Sequence, residues 1–421
     1  MKLRKLVSMA LAIAALATCW LSQARVANAQ DAAQAATRPP VSIPIFISSR
    51  NDVCHDPGDV AAIKALATAE SQRINRQGGI AGRQIELRFL DDERDQAKST
   101  AALRGALADP QTIAMIGMSN SNRAKVAFES NAKELRDSGI PFLSNIAVNS
   151  IFEGYANVFT TQASQDDERL PVMTRFVRHM KFERPAFVGL RDAVFSNTLG
   201  DGLKSQLGQG TVVGDHRLRA VGDGLDPAEV ANMIAALKDN GSDIVVMSIG
   251  AARAAAIMKQ MMAAGITPAL FITGRIDALP AEISNAWPNA IYQLAWDRLP
   301  EAYNDRLRKL IAREGQSNWN FEGRKIPEAA GWKSGECKPR TDDATPDPLT
   351  PENLRAIGIG TQYADMVALI AATARTAGAN TDIASLRQHI TRQLKTTFAA
   401  GRGAFKGSFE NWSFNPTSRS A

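Results

Sequence analysis

The chain contains 421 residues, more than one compact core usually holds, which predicts at least two lobes. Hydrophobic residues make up 45% of the chain and charged residues 22%, a composition that argues against general disorder and against a membrane bundle. Four of the basic residues lie in an N-terminal leader (Lys2, Arg4, Lys5 and Arg25), and the rest of the chain holds 45 basic and 43 acidic residues. This near-balance leaves no electrostatic footprint of a nucleic-acid-binding protein.

The first 29 residues have the order of a secretory signal. Basic residues precede an apolar run from Leu6 to Leu21, and Ala27-Asn28-Ala29 follows, which predicts cleavage after Ala29 and export to the periplasm. A membrane anchor is the alternative, but the apolar run is shorter than the roughly 20 residues that span a bilayer. Lipoprotein anchoring at Cys19 ranks second, because Thr18 is a poor residue directly before a lipidated cysteine.

Beyond the leader, residues 30–40 are rich in Ala, Gln, Thr and Pro and are predicted to form a flexible tether. From Val41 onward, short apolar segments alternate with helical patterns, which predicts crossover units and parallel sheets. The predicted strands are 41–47, 85–90, 113–118, 141–144, 185–190, 210–217, 244–249 and 270–273. The predicted helices are 60–75, 97–107, 126–137, 167–180, 199–207, 228–240, 252–264, 353–377 and 383–394. Nine or ten strands in all would make two sheets.

Two segments near the C-terminal end stand apart from this alternation. Residues 314–351 are rich in Gly, Pro, Lys and Asp and lack an apolar period, so we expect a long surface insertion. A final short strand pair is expected between Phe405 and Phe414.

Cys54 and Cys337 are the cysteines that remain after the leader, in a compartment that permits disulfides. A bridge between them and two unpaired buried thiols are both open, whereas their spacing excludes a zinc site built on paired cysteines. The four histidines (55, 179, 216 and 389) are scattered singly, so neither a metal site nor a catalytic triad is predicted. The first helix also lacks the glycine fingerprint of a dinucleotide site, and no cofactor is expected.

Three consecutive pieces of sequence carry a family resemblance. INRQGGIAGRQIELRFLDDERDQAKSTAALRGAL begins at Ile74, IAMIGMSNSNRAK begins at Ile113, and GIPFLSN begins at Gly139. In this order they resemble the leucine/isoleucine/valine-binding family of periplasmic receptors. A weaker resemblance continues to TQYADMVALIAATARTAG, which is similar to the last large helix of that family's first lobe.

The resemblance implies an α/β fold of two Rossmann-like parallel-sheet lobes joined by a three-strand hinge, the type I periplasmic binding protein fold, with the ligand held in the interlobe cleft. Carried onto this chain, lobe one would comprise 41–160 and 294–402, including the insertion, and lobe two 161–293 and 403–421. The implied function is that of a monomeric, non-enzymatic, extracytoplasmic solute-binding protein that serves the permease of an ABC importer. A secreted ligand sensor that partners a membrane receptor is the alternative.

The first candidate site segment is Ser119-Asn120-Ser121-Asn122, which follows a predicted strand and opens a helix. In open α/β sheets, ligands lie beyond the carboxyl ends of the strands, and hydroxyls and free amides at a helix start are suited to a carboxylate. The family uses a matching serine-rich loop, which makes Ser119, Asn120 and Ser121 candidates. Simple helix capping is the alternative role for these residues.

A second segment, Asn145 to Asn149, matches the family segment that offers a backbone carbonyl and a threonine hydroxyl to the ligand. Ala147, Val148 and Asn149 are the candidates, with Val148 where that threonine would stand. The family's ligand-covering tyrosine aligns with Phe195, which keeps the ring and loses the hydroxyl, unless Phe195 lies in the core.

The third departure from the family follows Thr273, where the family presents an acid to the ligand's ammonium and this chain reads Gly274-Arg275-Ile276-Asp277. Arg275 would favour an anionic group, unless it is a solvated surface charge. Asp277 would restore the acid after a shift of two or three residues. An amino acid, an amide, a carboxylate and an aromatic acid therefore all remain open as ligands.

Overall fold

The computed structural model describes residues 38–49, 57–162, 164–273, 279–293, 351–379, 381–399, 404–406, 411–412 and 414. Several predictions therefore lie outside the described residues: the signal and the tether up to residue 37, the pair Cys54 and Cys337, the site candidates Arg275 and Asp277, and residues 314–350 of the insertion.

Ten of the strands in the described part of the chain form two five-stranded sheets, and four more form two short antiparallel pairs. In chain order the strands are β1 (Val41–Ile47), β2 (Ile85–Asp91), β3 (Met115–Gly117), β4 (Phe142–Ser144), β5 (Val158–Thr160), β6 (Pro185–Leu190), β7 (Gly214–Leu218), β8 (Ala220–Val221), β9 (Gly224–Leu225), β10 (Ile244–Ser248), β11 (Ala269–Ile272), β12 (Ile291–Gln293), β13 (Phe405–Lys406) and β14 (Asn411–Trp412). The sheet orders are β2-β1-β3-β4-β5 and β12-β11-β10-β6-β7.

Helices connect these strands. They are α1 (Pro57–Arg76), α2 (Gln96–Ala108), α3 (Ser121–Ser130), α4 (Ala132–Asp137), α5 (Leu170–His179), α6 (Val194–Leu207), α7 (Pro227–Asp239), α8 (Ala251–Ala263), α9 (Ala281–Ser284), α10 (Pro351–Ala374) and α11 (Ile383–Thr396). A 3-10 turn covers Asn149–Phe152, and a π-helical turn, Gln165–Arg169, runs directly into α5. None of the helices in the described ranges is long and apolar enough to cross a membrane.

Parallel pairing dominates the two sheets. β1 pairs in parallel with β2, from Val41 opposite Ile85 to Ile47 opposite Asp91, and in parallel with β3. Every neighbouring pair of the second sheet is also parallel. Parallel neighbours require crossover connections, which the intervening helices supply. The prediction of two parallel sheets in an α/β fold is confirmed.

The chain divides into two compact units. The first comprises Met1–Gly117, Asn131–Leu143 and Arg308–Ser413, and the second comprises Met118–Ser130, Ser144–Leu307 and Phe414–Ala421. In the second unit, alternate residues of one strand enter opposite cores: Val245 of β10 lies in one buried cluster, and Val246 lies in the other. Helices thus cover both faces of this sheet, which explains why its inner strands β6, β10 and β11 are apolar at nearly every position.

Strand predictions were more accurate than predictions of helix starts. Strands 41–47 and 185–190 have the predicted bounds, and the predicted pair near the C-terminus is present as β13 and β14. The predicted helix 126–137 is wrong in two respects: a helix begins already at Ser121, and the chain breaks at Asn131 into α3 and α4. At the break, Asn131 is almost fully buried, and its side chain donates a hydrogen bond to the Thr100 carbonyl of α2. This contact with a distant segment has no signal in the local pattern of residues.

Candidate functional site

The loop after β3 leaves the sheet through two residues with positive φ. Gly117 has φ 113°, and a Cβ there would lie 2.5 Å from the Phe46 carbonyl oxygen, so only glycine fits. Met118 follows with φ 59°, a conformation that is uncommon for a residue with a side chain and that clusters at functional sites. This turn places the Ser119 segment at the start of α3.

The polar residues of this loop divide their roles. The Asn120 side chain accepts a hydrogen bond from the Arg123 amide at 3.0 Å and so caps α3, as the alternative reading of the sequence allowed. Ser119 is exposed, and Ser121, the first residue of α3, is half-buried. The two serines are therefore the hydroxyls of this loop that a ligand could reach.

Asn122 makes a two-sided contact with the segment before α6. Its Nδ2 donates to the Asp192 carbonyl at 2.8 Å, and its Oδ1 accepts from the Val194 amide at 2.8 Å. The start of α3 is therefore tied to the start of α6, although about 70 residues separate them in sequence. Both segments belong to the second unit.

The segment 145–149 packs against the π-helical turn. The Gln165 amide donates to the Ala147 carbonyl at 2.8 Å, and the Asn149 side chain donates to Asp167 Oδ2 at 3.0 Å. Val148 is fully buried and Ala147 is 6% exposed, so their side chains belong to the core. A π-helical turn is uncommon and is frequent at functional sites. Of these three candidates, only Asn149 has a partly exposed side chain.

Phe195 is the second residue of α6 and is half-buried. Its carbonyl accepts a hydrogen bond from Gln165 Nε2 at 3.0 Å. Phe195 is therefore not fully buried, which differs from the core position that the sequence left open. Phe195, Ser121 and Asn149 are all brought into the second unit, on segments that Asn122 and Gln165 connect.

Three buried polar atoms in these segments have no hydrogen-bond partner within the described structure. They are Gln165 Oε1, Asn149 Oδ1 and, at the carboxyl end of β10, Ser248 Oγ. Nearby, the Ser196 hydroxyl accepts from the Leu190 amide at 2.8 Å and donates to the Ser248 carbonyl at 3.1 Å, which fixes α6 to the sheet. Buried polar groups are nearly always paired, so such a group of exceptions is a feature of ligand sites.

Two charged residues of the π-helical turn have shifted pKa values. Burial and the neighbouring Asp167 carboxylate raise the pKa of Asp166, and a hydrogen bond from the Asn149 backbone amide partly opposes this shift. Burial lowers the pKa of Arg169 to about 10, although Glu168 opposes this shift. Perturbed groups next to unpaired polar atoms are typical of binding sites, and structural ion pairs can produce them too.

The interpretation of the sequence named Ser119 to Asn122 and Phe195 but missed Gln165 and Ser248. The first follows Ser164, a helix-cap residue, and the second ends an apolar strand, so neither carries a local motif. Within the described ranges, no group of His, Cys, Asp and Glu is arranged to hold a metal ion.

Comparison with known proteins agrees with the fold described above. The model of the family described as periplasmic binding protein matches residues 59–313. No curated protein sequence matches significantly.

Solved structures share the fold at low sequence identity. The leucine-binding protein LivK of Thermotoga maritima is 12% identical, with a TM-score of 0.61 over 90% of this chain and 92% of its own. LivJ of Streptococcus pneumoniae, solved with isoleucine, is 14% identical, with a TM-score of 0.57 over 91% and 94%. A solute-binding protein of R. palustris, solved with 4-hydroxybenzoate, is 15% identical, with a TM-score of 0.59 over 91% and 90%.

These likenesses confirm the type I periplasmic binding protein fold that the sequence predicted. Because the family model covers more than half of the sequence, the chain belongs to the periplasmic binding protein family.

Proposed function

We propose that the chain is the extracytoplasmic solute-binding component of an ABC importer and captures a small organic solute that carries a carboxylate. The observation that carries this proposal is the junction of two helix starts, those of α3 and α6, through the Asn122 side chain. Helix starts present unpaired amides and a partial positive charge, so two of them side by side favour an anion.

Each predicted contact residue has a role in the proposal. Ser119 and Ser121 hold the carboxylate at the start of α3, together with the backbone amide of Asn120. Phe195 covers the apolar part of the solute, and Asn149 offers the amide oxygen that lacks a partner among the described residues. Ala147 and Val148 pack in the core behind the site, while Arg275 and Asp277, outside the described residues, are proposed to meet the solute's other polar end.

The remaining predictions belong to the same proposal. The signal would be cleaved after Ala29 to release a monomeric periplasmic protein without enzymatic activity, and a permease would receive the solute. The predicted lobe boundaries and a bridge between Cys54 and Cys337 also remain proposals. The solved relatives bind leucine, isoleucine or 4-hydroxybenzoate, which supports amino acids and aromatic acids as the first solutes to test.

The test is ligand-dependent melting of the chain from Gln30 onward, against aliphatic amino acids, amides, aromatic acids and dicarboxylates. A ligand at 100 times its Kd adds about 2.7 kcal/mol to the free energy of unfolding, which raises Tm by a few degrees. Ser121→Ala should abolish most of the shift, whereas Ser205→Ala, at an exposed position of α6, should retain it. Absence of a shift with every class would contradict capture of a solute from these classes.

A further inference from the structure

The first turn of α6 is held by side chains from elsewhere in the second unit. Helix starts leave backbone amides without intrahelical partners, and a side chain at the N-cap normally meets one of them. The N-cap of α6 is Ala193, which has no side-chain acceptor. Asn122 takes over this role, because its Oδ1 accepts the Val194 amide while its Nδ2 holds the Asp192 carbonyl.

A second side chain holds the same turn from the π-helical side. Gln165 is fully buried, and its Nε2 donates to the Phe195 carbonyl at 3.0 Å. This orientation leaves Gln165 Oε1 buried and without a partner within the described residues, an arrangement that destabilises the folded chain. A buried amide retained at that cost indicates a requirement for position rather than for stability.

The three bonds converge on one short backbone segment. Asp192, Val194 and Phe195 are the backbone positions held, and Phe195 is the aromatic residue among them. The body of α6 is anchored separately, by the two hydrogen bonds of the Ser196 hydroxyl to Leu190 and Ser248. Loss of Asn122 or Gln165 should therefore loosen the first turn and leave the helix docked.

We infer that Asn122 and Gln165 are positioning residues that hold the Phe195 ring in one orientation and so select solutes with a planar ring next to the carboxylate. This inference rests on the proposed function, since it assigns a ligand class to that site. A ring that is already immobile loses little conformational freedom on binding, and a stacked aromatic pair is favoured beyond its buried area. A freely moving Phe195 would bind planar and non-planar apolar groups more evenly.

The binding test uses two probes of similar size and equal charge, benzoate and cyclohexanecarboxylate. We expect the unmodified chain to prefer benzoate, and Phe195→Leu to remove the preference. The neutral variants Asn122→Ala and Gln165→Met remove the hydrogen bonds to the first turn of α6 without adding a negative charge beside the anion. Each should weaken benzoate binding about fivefold, the size of effect expected for a lost hydrogen bond.

Non-additivity distinguishes positioning from a general structural effect. If both residues act through Phe195, combining either variant with Phe195→Leu should cause almost no further loss of benzoate affinity. Additive losses, or an unchanged ratio of the two affinities in the single variants, would overturn the inference.

A measurement without ligand separates this inference from the proposed function. Hydrogen exchange of the Val194 amide should accelerate in Asn122→Ala and remain unchanged in Asn240→Ala, whose side chain donates to the Val213 carbonyl elsewhere in the unit. Equal exchange at Val194 in both variants would refute the hold on the first turn. If exchange responds as expected but the chain binds neither acid, the assigned ligand class is wrong and the hold on Phe195 stands.

Discussion

Two regions of the second unit, the ion pairs of Arg217 on strand β7 and the segments around the start of α6, treat polar groups in opposite ways. On β7, Arg217 bonds Asp215 at 2.9 Å and Asp201 at 2.7 Å, and its guanidinium lies 5.6 Å from the centre of the Phe187 ring. Lys204 also pairs with Asp215. Burial raises the pKa of Asp215, but the hydrogen bonds from Arg217 and Lys204 outweigh it and leave that pKa below its usual value.

Around the start of α6, by contrast, buried polar atoms lack partners and a carboxyl pKa is raised. Gln165 Oε1 and Ser248 Oγ are unpaired within the described residues, and burial with the nearby Asp167 raises the pKa of Asp166. The difference indicates that β7 uses its charges for stability, whereas the other region holds polar groups that the folded chain alone does not satisfy.

The largest expected effect is that of Arg217→Met on stability. Removing the cation leaves Asp215 and Asp201 with fewer partners and ends the contact with the Phe187 ring, so the free energy of unfolding should fall by about 2 kcal/mol. Urea denaturation measures this change, and ligand affinity should stay the same. Arg175→Met, at an exposed position of α5, is the control and should have little effect. If Arg217→Met lost ligand affinity while its stability stayed the same, the conclusion that these charges serve stability and not binding would be wrong.

Ser248→Ala should have the opposite sign. Its hydroxyl oxygen is buried without a partner in the described structure, so its removal should raise the free energy of unfolding by about 1 kcal/mol. The matched control is Ser196→Ala, which breaks two hydrogen bonds and should lower the same quantity by about 1 kcal/mol. Denaturation of both variants with and without ligand tests the pair, and a lower stability of Ser248→Ala would show that its hydroxyl is satisfied after all.

The smallest expected effect is that of Asp166→Asn, and it depends on pH. The pKa of Asp166 is higher in the folded chain than in the unfolded chain, so the protonated carboxyl favours folding. This contribution is fully present below the unfolded pKa and is lost as pH rises through the folded pKa. The variant should match the parent at acid pH below the unfolded pKa, where Asp166 is protonated in both the folded and the unfolded chain. Near pH 7 it should exceed the parent's stability by a few tenths of a kcal/mol, because solvent screens this half-buried carboxyl.

Urea midpoints across this pH range measure the difference. Asp215→Asn should behave in the reverse manner. Because the pKa of Asp215 is lowered in the folded chain, the parent gains stability as pH rises, and the variant should fall further below the parent. A pH-independent difference for Asp166→Asn would contradict the perturbed carboxyl.

Helix starts show where interpretation of the sequence reached its limit. The predicted starts at 126 and 199 are each five residues too late, since the helices begin at Ser121 and Val194. In α3 the apolar period begins only after polar residues at 121–123, and in α6 polar residues at 196–198 interrupt it, so periodicity alone does not detect either first turn. These first turns carry the candidate site, and their caps include Asn120 nearby in sequence and Asn122 from a distant segment.

The sequence by itself determined the α/β class, the two parallel sheets and the family, because apolar strands, helical spacing and glycine turns are local signals. Through the family resemblance, it also identified Ser121 and Phe195 as candidates. Only the tertiary structure joined Asn122 to Val194 and Gln165 to Phe195. Such bonds join residues about 70 and 30 positions apart, and they depend on how crossover units pack, which no local pattern of residues encodes.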